Sequence, residues 1–166
     1  MDYRHLSSDE IGRLQAQECL AEDWQNVWVS PDFTTEYVHQ TRFSGEVKLG
    51  VFQDEFELPG GIKKHSRLRS VTLHNVTIGD NCLVENIQNY IANYNIGDNC
   101  FIENVDLMLV DGVSTFGNGI EVSVLNETGG REVPINDKLS AHMAYIMALY
   151  RHRPGLTARL KELADY

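Results

Sequence analysis

The sequence lacks the features of a membrane-spanning or secreted protein. Its apolar runs are far shorter than the roughly 20 residues that span a bilayer. Residues 1–5 lack the basic and apolar pattern of a secretory signal. Only three cysteines are present, without the close pairs that bind zinc. We therefore expect a cytoplasmic protein with reduced thiols.

Positive charge is also scarce. Fourteen Lys and Arg residues stand against 24 Asp and Glu residues, a formal net charge of −10. Non-specific nucleic-acid binding needs a basic face that displaces counterions from phosphates. An anionic membrane surface attracts basic segments for the same reason. We therefore expect neither nucleic acid nor membrane as a partner.

Three segments follow one another in the 166 residues. Residues 1–41 form an N-terminal helix and strand cap, in which Ser7 and Glu10 fit a capping box. Residues 42–131 are rich in Val, Ile, Gly and Asn and show no helical periodicity. Residues 132–166 predict C-terminal helices, the first with Asp137 as its N-cap. Their open end is compatible with a longer natural protein.

A decapeptide recurs almost unchanged after eighteen residues. Residues 78–87 read IGDNCLVENI and residues 96–105 read IGDNCFIENV, so seven of ten positions are identical. Within each copy aliphatic residues recur at a spacing of six. That period is typical of a β-helix, in which three short strands and their corners form one coil. We predict a mainly β fold, a parallel β-helix of about four coils flanked by a short N-terminal helix and a C-terminal helical segment.

Equivalent residues of successive coils should lie over each other, because neighbouring strands are about 4.8 Å apart. Cys82 and Cys100 then stack, and the interpretation as small inward residues is favoured over a disulfide. Glu85 and Glu103 also stack. Solvated outward carboxylates are favoured there over a cation site. A weaker third copy is predicted from Phe116.

These repeats resemble the left-handed β-helix, or hexapeptide-repeat, transferase superfamily, over about half of the chain. The segment from His74 to Gly79, His-Asn-Val-Thr-Ile-Gly, looks like the histidine motif of its acyltransferases, which include those of lipid A synthesis and related sugar N-acetyltransferases. The whole chain also looks like the N-terminal part of an uncharacterised bacterial hexapeptide-repeat family. The resemblance implies a left-handed coil.

The same resemblance implies a function. It predicts an acyltransferase-like protein that acts on a sugar or sugar nucleotide, with His74 as the general base, because imidazole titrates near neutrality. It implies an acyl-coenzyme A or acyl-carrier thioester as donor, with no resident cofactor. It also implies a homotrimer. The alternative is a non-catalytic β-helical oligomerisation or ligand-sensing module, part of a larger sugar-nucleotide transferase.

Basic residues could bind the phosphates of a substrate or donor. One basic run contains Lys63, Lys64 and Arg67, and Arg131 follows a Gly-Gly loop. Guanidinium and ammonium groups are the usual partners of phosphate oxygens. The alternative interpretations are a solvated outer strand for the run and a plain turn for the loop. No close-spaced histidine pair indicates zinc, so no metal site is predicted.

Overall fold

The computed structural model describes residues 2–112, 117, 119–123 and 132–164, and within them it contains thirteen strands and three α-helices. The chain divides into two compact units, residues 1–111 and 112–166. Among the described residues no helix combines the length and the apolar character needed to cross a membrane. The mainly β part of the predicted fold is confirmed.

The first unit begins with short elements that lead into the sheet. In chain order they are β1 (Arg4–His5), α1 (Ser8–Ala16), β2 (Leu20–Ala21), a 3₁₀ turn (Trp24–Asn26) and β3 (Val27–Val29). The predicted capping box is confirmed, because the Ser7 hydroxyl accepts from the Glu10 amide and the Glu10 carboxylate accepts from the Ser7 amide. Two of the helix's four free N-terminal donors are thereby satisfied.

Longer strands form the body of this unit. They are β4 (Val38–Leu49), β5 (Glu55–Leu58), β6 (Ile62–His65), β7 (Arg67–Ile78), β8 (Leu83–Glu85), β9 (Ile91–Ile96), β10 (Phe101–Glu103) and β11 (Met108–Leu109). Strands β5 and β6 make a separate antiparallel hairpin. Strands β1 to β4 and β7 to β11 form a nine-stranded mixed sheet, whose pairings are parallel except for β1 with β3. Strands β4 and β7, twelve residues each, lie at its centre.

The eighteen-residue repeat sets the pairing of the parallel strands. Ile78 pairs with Ile96 and Leu83 pairs with Phe101, as the repeat predicts. Six asparagines of this region adopt the left-handed conformation; Asn75 lies within β7 and Asn93 within β9, and the other four lie outside the strands. Their φ values lie between 52° and 57° at Asn75, Asn81, Asn86, Asn93, Asn99 and Asn104. Asparagine tolerates this region better than most residues, which explains its abundance here.

One side of these strands is an aliphatic core. Its members are fully or almost fully buried: Val47, Leu49, Leu68, Leu73, Val76, Ile78, Val84 and Ile91. Along most of β4 and β7 the buried residues alternate with more exposed ones. This alternation fixes which face of each strand points away from the core, because successive side chains in a strand point to opposite faces. The polar face of β4 and β7 is where the candidate site lies.

The second unit contains an antiparallel pair and two helices. They are β12 (Glu121–Ser123), β13 (Glu132–Pro134), α2 (Ala141–Leu149) and α3 (Pro154–Ala164). The N-cap of α2 is Ser140, whose hydroxyl accepts from the Met143 amide, so the prediction of Asp137 is wrong. The aspartate lies one turn too early to reach those amides. Met147 of α2 packs with Val133 of β13 in a small buried cluster.

Candidate functional site

A groove of about 630 Å³ lies across the parallel strands of the first unit. Strand pairing arranges most of its lining in two rows. The histidine row crosses the strands as Glu22, Ser44, His74, Ala92 and Leu109. The arginine row lies two residues earlier along each strand, as Leu20, Arg42, Thr72 and Tyr90. The two rows share one face because residues i and i+2 of a strand point the same way.

His74 lies at the centre of the histidine row and is solvent-exposed. Its Nδ1 is 2.8 Å from the Ser44 hydroxyl oxygen. That hydroxyl donates to the Glu22 carboxylate at 2.8 Å. The three side chains therefore form a continuous hydrogen-bonded chain along the row, which we call the relay.

The relay fixes the tautomer of His74. A hydroxyl has one hydrogen, and Ser44 donates it to the carboxylate of Glu22. The Ser44 oxygen can therefore only accept from the imidazole, so Nδ1 of His74 carries a hydrogen. In the neutral ring the lone pair then lies on Nε2.

Asn75 agrees with this assignment from the other side of the ring. Its carbonyl oxygen accepts from the Glu46 amide at 3.0 Å, so its NH₂ group is the one that faces the imidazole. That NH₂ lies 3.1 Å from Nε2 of His74 and 3.4 Å from the side-chain oxygen Oδ1 of Asn93. A donor at this position requires an acceptor at Nε2, which is the same tautomer.

A break in the strand register creates room for Asn75. Ser44 pairs with His74 and Val47 pairs with Val76, so β4 has one more residue than β7 between these pairs. Gly45 is one of the two β4 residues in this bulge, with φ at 61°. A Cβ at this position would lie 2.1 Å from the Asn75 carboxamide oxygen and 3.3 Å from Cε1 of His74. Bulges of this kind re-aim side chains and are frequent beside active sites.

The predicted phosphate-binding residues do not lie with His74. Lys63 is exposed on β6, 3.8 Å from Glu55. Lys64 and Arg67 belong to an ion-pair cluster with Glu85 and Glu103 and do not line the groove. Arg131 lies outside the described residues, as does Phe116, where a third copy is predicted. The structure therefore brings none of the described basic candidates to the groove.

The ion-pair cluster neutralises its own charges. Glu85 is 3% exposed and receives Lys64 at 2.6 Å and Arg67 at 2.7 Å. Lys64 also contacts Glu103, and this hydrogen bond and the one to Glu85 raise the pKa of Lys64. Burial acts to raise the pKa of Glu85, but hydrogen bonds from Arg67 and Lys64 outweigh it and lower that pKa to about 2. The interpretation of two solvated carboxylates is wrong, because Lys64 bridges the stacked pair.

The sequence predicts His74 as a site residue but gives no signal for the residues that orient it. Ser44 and Glu22 lie 30 and 52 residues earlier, so no eighteen-residue period connects them to His74. They arrive through the pairing of β2 with β4 and of β4 with β7. Among the described residues no group of three or more His, Cys, Asp or Glu side chains has a geometry that could hold a metal ion.

Comparison with known proteins places the chain in a family. A family model described as a domain of unknown function, DUF4954, matches residues 3–166. The chain belongs to the DUF4954 family. An uncharacterized protein of Treponema pallidum (strain Nichols) is 27% identical to this DUF4954 chain over 181 residues. The alignment covers 98% of the chain and 24% of that protein, so the chain spans about a quarter of this relative's length. No solved structure matches.

These findings correct the resemblance drawn from the repeats. The identification with the hexapeptide-repeat transferase superfamily, or with an uncharacterised hexapeptide-repeat family, is wrong, because the family match is to DUF4954. The sheet is also mixed, with β1 antiparallel to β3. A six-residue period reports short strands with regular corners, which does not by itself identify a family. The homotrimer and the acyl donor, which that resemblance implied, stay predictions.

Proposed function

We propose that the first unit of this DUF4954 chain is the catalytic part of an acyltransferase-like enzyme that acts on a sugar or sugar nucleotide. His74 is the general base. The observation that carries the proposal is the relay, because it leaves the lone pair on Nε2 and supplies a carboxylate behind the opposite nitrogen. A base oriented by a third group is the recurring arrangement for activating a nucleophile.

The chemistry follows from the relay. Nε2 of His74 removes the proton from a sugar hydroxyl or amine as that group attacks the carbonyl carbon of a thioester. The carbon–sulfur bond breaks, and the imidazolium returns the proton to the departing thiolate. Nδ1–H donates to Ser44, and Ser44 donates to Glu22, so the positive charge that develops on the ring faces a carboxylate through one hydroxyl.

The groove supplies surfaces suited to such an acceptor. Thr72 and Asn93 offer polar groups, and the exposed ring of Tyr90 offers an apolar face. Leu20 and Leu109, 55% and 45% exposed, add apolar surface on opposite sides of the groove. Small-molecule sites usually combine an apolar lining with a few well-placed polar groups.

The test compares two histidine variants with matched chemistry. His74→Asn retains a hydrogen-bond donor for Ser44 but has no base. His39→Asn changes a histidine of β4 outside the groove, whose Nε2 contacts the Glu36 carbonyl. With acetyl-coenzyme A and glucosamine, we expect kcat to fall by about 10² to 10⁴ in His74→Asn and to stay unchanged in His39→Asn. Equal turnover in His74→Asn and the wild type would remove His74 from the mechanism.

A ligand-sensing module without catalysis is the second candidate. The Asn75 NH₂ contact at Nε2 favours it, because a substrate would have to displace that group. Binding of a sugar or nucleotide sugar by the wild type, with no acyl transfer from any thioester donor, would select this alternative. Turnover that is lost in His74→Asn would exclude it.

We also propose that the parallel strands of the first unit follow one another as coils of a left-handed β-helix. The eighteen-residue register and the regularly spaced left-handed asparagines support this arrangement. A crystal structure with a continuous trace from β7 to β11 tests it. A right-handed turn, or strands that lie in an open sheet, would contradict it.

A further inference from the structure

Arg42 is the cation that faces the groove. It is exposed, and within the described part of the chain it has no hydrogen-bond or ion-pair partner. Arg4 and Arg67, by contrast, are paired with Glu10 and Glu85. An unpaired guanidinium in a concave surface of a chain with net charge −10 retains all of its donors for a ligand.

The position of Arg42 relative to His74 follows from the strand pairing. Arg42 is paired with Thr72, and Ser44 is paired with His74, on the adjacent strands β4 and β7. Neighbouring strands are about 4.8 Å apart and each residue advances about 3.3 Å, so the Cα atoms of Arg42 and His74 are roughly 8 Å apart. One substrate molecule can therefore contact both side chains.

The neighbours of Arg42 in the arginine row add a hydroxyl group and an aromatic ring to the groove. Thr72 lies beside it and Tyr90 lies one strand further, next to Ile91, the partner of Leu73. A guanidinium with a hydroxyl beside it matches the oxygens of a phosphate group. An exposed aromatic ring matches the apolar face of a sugar or base.

We propose that the arginine row is an anion subsite, in which Arg42 and Thr72 bind a phosphate of the substrate or donor while Tyr90 packs against its ring. This inference rests on the proposed function only for its location beside the base. It assigns phosphate recognition to Arg42 in place of Lys64 and Arg67, whose charges are taken up by Glu85 and Glu103. Glu22 faces the same groove and opposes an anion, although its carboxylate is hydrogen-bonded to Ser44.

Two matched ligand pairs distinguish the sources of the phosphate. Glucosamine 6-phosphate and glucosamine differ in a phosphate on the acceptor. S-acetyl-4′-phosphopantetheine and S-acetylpantetheine differ in a phosphate on the donor. Isothermal titration should give tighter binding of the phosphorylated member in one pair, and that pair identifies the source.

Variants then locate the contact. Arg42→Gln should weaken binding of the phosphorylated ligand about tenfold or more, since hydrogen bonds to charged groups contribute about that much. The affinity for the unphosphorylated ligand of the same pair should stay unchanged. Arg69→Gln is the matched control, because Arg69 is also exposed but lines a different groove. Glu22→Gln should strengthen binding of the phosphorylated ligand by removing the opposing charge.

The outcomes separate this inference from the proposed function. All titrations are repeated in His74→Asn, where binding does not depend on turnover. Phosphate-selective binding that Arg42→Gln removes would establish the subsite even if no acyl transfer occurs. The subsite would be contradicted if neither phosphorylated ligand bound more tightly than its unphosphorylated counterpart, or if none of the ligands bound. It would also be contradicted if Arg69→Gln weakened binding as much as Arg42→Gln. Turnover of unphosphorylated substrates without such a preference would leave the proposed function standing alone.

Discussion

Residues 78–87 and 96–105 share seven of ten positions but lie in different surroundings. Leu83 of the first copy is fully buried, whereas its partner Phe101 is 38% exposed. Strand β8 lies between β7 and β10, while β10 pairs with β8 alone among the described strands. The same residues therefore have neighbours on both sides in the first copy and on one side in the second.

This difference shows how position in a ladder of strands decides what a residue does. Glu85 and Glu103 occupy the same place in the repeat, but Glu85 is held by two cations and Glu103 by one. Single substitutions at equivalent positions of the two copies should therefore have unequal effects.

The largest difference is expected between Glu85→Gln and Glu103→Gln. Removing the Glu85 charge leaves Arg67 without its carboxylate and Lys64 with one of two, in a cluster whose centre is buried. Breaking a buried ion pair from one side costs about 3 kcal/mol. Glu103→Gln leaves Glu85 in place for both cations, and its cost should be about 1 kcal/mol. Urea unfolding of the two variants measures both values. Equal losses would contradict the ranking.

The pH dependence of stability provides an independent check on Glu85. Its pKa is lowered from 4.5 to about 2, so its ionised form favours the folded state. That contribution is complete above about pH 4.5 and is lost as the pH falls towards 2. Glu85→Gln should flatten the acid dependence of the unfolding free energy in this window, although part should remain, since Arg4 and Ser7 also lower the pKa of Glu10 to about 2. An unchanged slope in Glu85→Gln would mean that this carboxylate is not held as described.

Gly79→Ala and Gly97→Ala should differ by a smaller amount. A Cβ on Gly79 would lie 2.4 Å from the Asp98 carboxylate oxygen and 2.8 Å from both the Asp98 backbone nitrogen and the Gly97 carbonyl carbon. Space of this kind can be made only by moving the backbone, at about 1–3 kcal/mol. A Cβ on Gly97 would meet nothing within 4 Å among the described residues, so its substitution should change stability by less than about 0.5 kcal/mol. Thermal unfolding compares the two. A neutral Gly79→Ala would show that the strands can separate at this point.

The pairing of the two copies could be predicted from the sequence, because the period of the repeat gives the residues that lie next to each other. Ile78 over Ile96 and Leu83 over Phe101 follow directly from the eighteen-residue period. The ion pairs of Glu85 and Glu103 could not be predicted from the sequence. Lys64 lies in a hairpin outside the repeat and contacts these two carboxylates only in the folded chain.

The candidate site divides in the same way. His74 stood out because a histidine precedes the first copy and none precedes the second. Ser44 and Gly45 have no such signal, because β4 is offset from β7 by 30 residues before the bulge and by 29 after it. Arg42 was equally hidden, since only the pairing of β4 with β7 places it beside Thr72 in the groove. Long-range strand pairing, rather than composition or motif, assembles these residues.

The smallest difference is expected between the reactivities of Cys82 and Cys100, the equivalent cysteines of the two copies. Both are free thiols; Cys82 is buried and Cys100 is half-buried. Burial raises the pKa of the Cys82 thiol to about 11, and its Sγ lies 3.0 Å from the Gly97 carbonyl oxygen. Since the thiolate is the reactive form, iodoacetamide at pH 8 should modify Cys100 at least tenfold faster than Cys82 in the folded protein. In urea the two should react at similar rates, because their sequence surroundings are nearly the same. Mass spectrometry of the modified peptides measures both rates, and equal rates in the folded protein would mean that the second copy separates from the first often enough to expose Cys82.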